Sequence, residues 1–198
     1  PTPPSPLPQL MSNTILLTSF TTWLPHHTSN SSDDLLAEIE QLEKFTGYLT
    51  FLRQLPVDIS PASTQVLAKL EQLQPQVIIC CGMAEKRKQL TLESCATCQD
   101  NLIQTSVDLE QLVVSLVDTE ISHDAGKFVC EGLYYQVLKH IRDHQLTTFC
   151  LFVHVPVLTP TNKVRIKADF CSLIEQFIYS ATNPPSKSSR LSSDLICQ

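Results

Sequence analysis

Three short stretches of this chain are apolar almost without interruption: "TILLTSF" at residues 14 to 20, "QVIICCG" at 76 to 82 and "TTFCLFVHV" at 147 to 155. A strand with one face in water alternates apolar and polar residues, whereas a strand covered on both faces does not. These runs therefore require a sheet with a layer of helix against each side. The stretches between them supply the helices. "SSDDLLAEIEQLEKF" (31 to 45), "ASTQVLAKLEQLQP" (62 to 75), "DLEQLVVSLVD" (108 to 118), "GKFVCEGLYYQVLKHIRDH" (126 to 144) and "VRIKADFCSLIEQFIYSA" (164 to 181) repeat their apolar residues with the 3.6-residue period. The first opens on Ser and Asp, which suit a helix start. "YLTFLRQLPVD" from residue 48 reads as a further strand. The alternation predicts an α/β fold: a single three-layer α/β/α domain around a mostly parallel, mixed central sheet. In such sheets functional groups gather where strands end and helices begin.

The chain's 198 residues suffice for one well-cored domain. "PTPPSPLPQL" holds five prolines in ten residues, so residues 1–11 are expected to form an extended, disordered tail ending at Met11, a natural start position. The Pro- and Ser-rich stretch 183–198 is expected to be a flexible C-terminal tail, leaving 12–182 as the folded domain. A formal charge of −6 argues against nucleic acid or an anionic membrane surface as the main partner, because both recruit clustered Lys and Arg. With no run of roughly 20 apolar residues and no signal-peptide layout, a cytoplasmic location is expected. Its eight cysteines then read as free thiols, with Cys80, Cys81, Cys150 and Cys171 inside apolar runs as small core residues.

Three residues stand where chemistry is favoured. Cys130 lies four residues beyond Gly126, in the first turn or so of the helix running toward His140. A helix N-terminus favours an anion by roughly 0.3–1 kcal/mol, and such sites lower a thiol from about 8.5 toward about 3.5–7.5. Taken alone, a cysteine at such a position is more often a small core residue. His154 ends an apolar run that Pro156 stops. An imidazole there is placed as a general base, or as a satisfied core histidine. Glu93 follows the strand that Gly82 closes; a carboxylate there orients a histidine ring and stabilises its imidazolium, or is simply solvated.

Two metal readings compete. Cys95 and Cys98 of "CATC", with Cys80 and Cys81, offer four thiols, but zinc ribbons present two C-x-x-C knuckles and here one pair is adjacent within a strand. His140 and His144 are one helical turn apart, and cationic residues at a helix end are better explained by the dipole. No metal site is assigned.

Four ordered motifs give the chain a family resemblance. "TSFTTWL" from Thr18 echoes a T-G-F-x-x-F-G loop; "GMAEKRKQLTLE" from Gly82 through Arg87 to Glu93 matches G-x-A-x-x-R-x-x-I-x-x-E; "SHDAGKFVC" ending at Cys130 matches S-x-x-A-G-x-[FY]-[LV]-C; and "FVHVP" around His154 matches F-[IV]-H-V-P. In these motifs the chain resembles pyroglutamyl peptidase I, the pyrrolidone-carboxylate peptidase family of cysteine peptidases. The resemblance implies hydrolysis of the amide after an N-terminal pyroglutamyl residue by a triad of Cys130, His154 and Glu93. It also implies an acyl-enzyme, and neither metal nor cofactor. It places Phe20, Trp23 and Phe128 around the flat lactam ring, backbone near Met83 on the lactam amide, and Arg87 as a helper to the oxyanion. The partner implied is a peptide or small amide substrate, and the oligomeric state stays open.

Two stretches depart from the family pattern. The first loop lacks its glycines, with Ser19 where the family has Gly, which predicts a reshaped loop. Between Glu93 and Cys130 the family's longer, substrate-covering segment is reduced, which predicts an opened or altered pocket. A cysteine amidase of different acyl specificity and a non-catalytic binding protein on the same fold are the alternative readings.

Overall fold

The computed structural model describes residues 14–182; the expected tails before and after lie outside the described residues. Each apolar run is a strand: β1 spans Ile15–Phe20, β3 Val77–Met83 and β8 Phe149–Val155, with β2 at Leu49–Leu55. They form the parallel part of a six-stranded sheet ordered β2-β1-β3-β8-β4-β7, completed by β4 (Leu90–Glu93) and β7 (Thr119–Ser122). β4 runs antiparallel to β8 and parallel to β7, so the sheet is mixed and mostly parallel. β2 is an edge strand and only half-buried, which explains its weaker apolar pattern.

The two-residue period of the strands sorts the core into two layers. Ile15, Leu17, Val77, Ile79, Cys81, Leu151, Val153 and Val155 pack with α1 (Ser31–Glu40), α3 (Leu109–Val113) and α5 (Lys163–Thr182). Leu16, Phe20, Ile78, Cys80, Cys150 and Phe152 pack with α2 (Ile59–Leu73) and α4 (Val129–Asp143) on the other face. The three-layer α/β/α expectation is thus met.

Several boundaries differ from the sequence reading. α1 stops at Glu40, and a short 3₁₀ turn, Glu43–Phe45, finishes the 31–45 stretch. Asn30, one residue before the expected start, is the N-cap, its side chain accepting from the Ser32 N–H. Only five residues of 108–118 are helical. α4 begins at Val129 rather than Gly126, whose φ of +95° suits a glycine turn and not a helix. β5 (Cys95–Cys98) and β6 (Asn101–Gln104), joined through Gln99 at φ 54°, make a hairpin that packs on α4. This hairpin is what the shortened segment after Glu93 builds. No helix among the described residues is long and apolar enough to cross a membrane.

Candidate active site

The chain runs down α4 and back up β8. A 15-residue helix rises roughly 22 Å and a seven-residue strand extends roughly 23 Å, so the return brings the end of β8 back beside the start of α4. Cys130, the second residue of α4, and His154, near the end of β8, therefore line one cavity of about 280 Å³. Gly82 pairs with His154 across the β3–β8 ladder. The sulfur of Cys130 occupies the space a side chain at Gly82 would need, for a β-carbon there would lie 2.7 Å from Sγ.

β4 supplies the acid. Its apolar residues Leu90 and Leu92 face the α5 layer, so Thr91 and Glu93 face the α4 layer, on the same side as His154. The antiparallel register sets Thr91 opposite His154 and Glu93 opposite Phe152. From that diagonal position the fully buried Glu93 carboxylate accepts a 2.7 Å hydrogen bond from His154 Nδ1. The bond places a proton on Nδ1 and leaves Nε2 as the ring's free lone pair. Thr91 Oγ1 donates to the same Glu93 oxygen at 3.3 Å, and the buried Tyr134 hydroxyl donates to the Glu93 backbone carbonyl at 2.8 Å. Thr91 and Tyr134 escaped the sequence reading, because nothing local marks a residue whose partner lies on another element.

The thiol is not activated in the way the helix position predicts. Burial, reinforced by the negative charge of Glu93 and by Cys80, pushes Cys130 up to about 12. The dipole of α4 does not overcome the loss of water around the sulfur. The resting state is therefore a neutral thiol, and a thiolate has to be made by proton transfer. α4 has no side-chain N-cap, so the first-turn amide groups remain available to an anion.

The other predicted residues divide. Phe20, Trp23, Met83 and Phe128 all line the cavity. Phe20 is buried at the end of β1, while Trp23 and Phe128 are half-exposed and lie 5.2 Å apart, ring centre to ring centre, at its mouth. Asn30, Val57 and the 125–127 and Val129 stretch before Cys130, which includes Lys127, also line the wall and were not foreseen. Arg87 does not line the cavity. Its guanidinium donates to Ser122 Oγ and the Asp124 carbonyl at 3.2 and 3.0 Å and lies 3.7 Å from Glu93 Oε1, behind the acid rather than facing a substrate.

The glycine-poor first loop is held by polar contacts. Ser19 Oγ donates to Asp33 at 2.6 Å and accepts from the Gln54 N–H, and Arg53 pairs with the same Asp33 carboxylate at 2.9 Å. This cluster anchors the β1–β2 register shift just before the loop. The zinc reading fails on geometry: Cys80 and Cys81 belong to opposite layers, Cys95 is buried and Cys98 exposed. His140 and His144 stack on each other, with His144 Nδ1 on the His140 carbonyl.

The pyroglutamyl peptidase family model matches residues 105–182. The chain is 24% identical over 178 residues to the pyrrolidone-carboxylate peptidase of Oceanobacillus iheyensis, covering 76% of this chain and 88% of that one. It is 28% identical over 172 residues to the pyrrolidone-carboxylate peptidase of Deinococcus radiodurans, covering 72% and 78%. The fold superposes on the crystal structure of pyroglutamyl peptidase I from Bacillus amyloliquefaciens with a TM-score of 0.73, at 20% identity over 85% of this chain and 96% of that one. A mutant pyrrolidone carboxyl peptidase from Pyrococcus furiosus gives 0.73 at 17% identity, covering 84% and 99%.

Proposed function

We propose that the chain is a member of the pyroglutamyl peptidase family, to whose model and named relatives it is similar, and that it is a cysteine exopeptidase that hydrolyses the amide bond after an N-terminal pyroglutamyl residue. The observation that carries the residue roles is the buried 2.7 Å bond from His154 Nδ1 to Glu93, on a cavity whose wall also holds Cys130.

The chemistry follows from the neutral thiol. As Cys130 Sγ attacks the pyroglutamyl carbonyl carbon, its proton passes to His154 Nε2, and Glu93 stabilises the resulting imidazolium. The carbonyl oxygen gains the negative charge, which the free amide groups at the start of α4 are placed to receive. The C–N bond then breaks as the imidazolium gives its proton to the leaving amine. A water, deprotonated by His154, attacks the thioester, and pyroglutamate leaves as the thiol is restored. Proton, nucleophile and leaving group all balance without a cofactor. Arg87 acts here as a positioning residue, holding the loop of Ser122 and Asp124 beside the acid.

The cavity suits a neutral acyl group. Phe20, Met83, Trp23 and Phe128 offer apolar and aromatic surface, and no carboxylate is among the lining residues. A free N-terminal ammonium would enter without a counter-charge and beside the cationic Lys127, whereas a lactam carries no charge. The cytoplasmic location and a peptide as the natural substrate are part of the same reading.

The test is release of a fluorescent amine from a pyroglutamyl amide, under reducing conditions, by the protein and by Cys130→Ala. Turnover that disappears in the variant is the expected result. Absence of turnover in both, with Cys130 still alkylated, would transfer the site to another acyl group; absence of turnover with an unreactive Cys130 would remove the enzyme reading.

A further inference from the structure

Outside the active site, two loops bring three metal-binding side chains together. His26 and His27 lie in the loop after β1, and Glu85 lies in the segment after β3. Their ligand atoms all fall within 4.8 Å of one another. Both imidazoles approach the same oxygen: Glu85 Oε1 is 3.3 Å from His26 Nε2 and 2.6 Å from His27 Nε2. Two histidines and one carboxylate, with a remaining position for water, form a donor set suited to zinc.

The two distances to Glu85 allow it. Ligand atoms each ~2.0–2.1 Å from a tetrahedral zinc lie roughly 3.3 Å apart. The His26 pair already has that separation, and the His27 pair reaches it if the half-exposed Glu85 side chain withdraws by about 0.7 Å. The His27 ring is 6% exposed and its Nδ1 has no hydrogen-bond partner. Without an outer acceptor on that nitrogen, metal binding is ~10–100-fold weaker than at a site that has one.

We propose that His26, His27 and Glu85 bind a divalent transition metal such as Zn²⁺, clamping the loop after β1 to the segment after β3. Both segments continue from the cavity wall: Trp23 lies 6.1 Å edge-on from His27, and Met83 precedes Glu85 by two residues. The clamp thereby holds Trp23 in place at the cavity mouth, a structural role separate from the reaction itself.

Trp23 is the single tryptophan of the chain, and its neighbour His27 makes it a direct reporter. The experiment titrates Co²⁺, then Zn²⁺ in competition, into a full-length Cys130→Ala, Cys98→Ser, Cys197→Ser protein, which lacks the cavity thiol, the thiol exposed among the described residues and the one that lies outside them. The expected result is saturable quenching of Trp23 at one equivalent of Co²⁺, reversed by Zn²⁺, with binding weakened at least tenfold in both His26→Ala and Glu85→Gln. Both positions are exposed and tolerate change. No saturable quenching up to millimolar Co²⁺, or quenching unaltered by either substitution, overturns the proposal. The readout involves no turnover, so the peptidase reading stands or falls independently.

Discussion

Gly82 leaves open the space that the Cys130 sulfur fills: a β-carbon at position 82 would lie 2.7 Å from Sγ and 3.0 Å from the Phe152 ring. Phe152 is fully buried and cannot withdraw, so the thiol would have to move instead. Gly82→Ala is therefore expected to lower kcat by about 100-fold, the scale of a 1 Å displacement of a reacting group. Thermal unfolding should show a loss of only about 1–2 kcal/mol, the cost of mild overpacking. Unchanged kcat would separate Cys130 from the reaction.

Glu93→Gln separates two effects that a simple loss of activity would merge. The variant keeps the side chain's shape but removes the charge that stabilises imidazolium, so kcat should fall by about 10²–10⁴-fold. The same charge is, after burial, a cause of the raised Cys130 value, so the thiol should become easier to ionise. Iodoacetamide labelling against pH, followed by peptide mass analysis at Cys130, should shift to lower pH while turnover collapses.

Alkaline pH should unfold the protein progressively. Cys81, Cys130, Cys150 and Tyr134 are all raised, each chiefly by burial. Their unfolded values are about 8.5 for the thiols and about 10 for the phenol. Below those values both states hold the protons and the stability is fully present. Above them the unfolded chain ionises first, so stability is lost as pH rises toward the folded values. Denaturant midpoints measured from pH 7 to 11 should decline from about pH 9 upward, and a flat profile would contradict the buried, neutral thiols.

The cluster below the first loop should matter in acid. Burial alone would raise Asp33, but hydrogen bonds from Arg53, Ser19 and Gln54 outweigh it and hold the carboxyl below its usual range. Its contribution is present above the unfolded value of about 3.9 and lost as pH falls. Asp33→Ala should cost about 1–3 kcal/mol in urea unfolding at pH 7, by leaving the Ser19 hydroxyl without its acceptor and Arg53 with Glu40 alone, and should flatten the acid limb of the stability profile.

Trp23→Ala should act on binding rather than on bond breaking. The ring is half-exposed and rests on Phe128 at the cavity mouth, so its loss removes contact surface without touching the triad. About a tenfold rise in KM for a pyroglutamyl amide, with kcat within about twofold, is expected from steady-state kinetics.

What the chain states locally is the identity of its elements. Uninterrupted apolar runs required β1, β3 and β8 to be covered on both faces, and helical periodicity marked α2, α4 and α5, because burial repeats with the geometry of each element. Cys130, His154 and Glu93 were legible as candidates because they follow or end such elements within recognisable motifs. Four-residue strands such as β4 carry too few alternations to declare themselves, and the hairpin Cys95–Gln104 was legible only as a shortened segment. Only the tertiary structure set β4 antiparallel beside β8, and that register alone turns Glu93 toward His154. It also reversed the expected effect on the thiol, since a helix terminus is a local property whereas burial is set by everything packed around the sulfur. The meeting of His26 and His27 with Glu85 has the same origin: loops distant in sequence become neighbours because β1 and β3 are adjacent in the sheet.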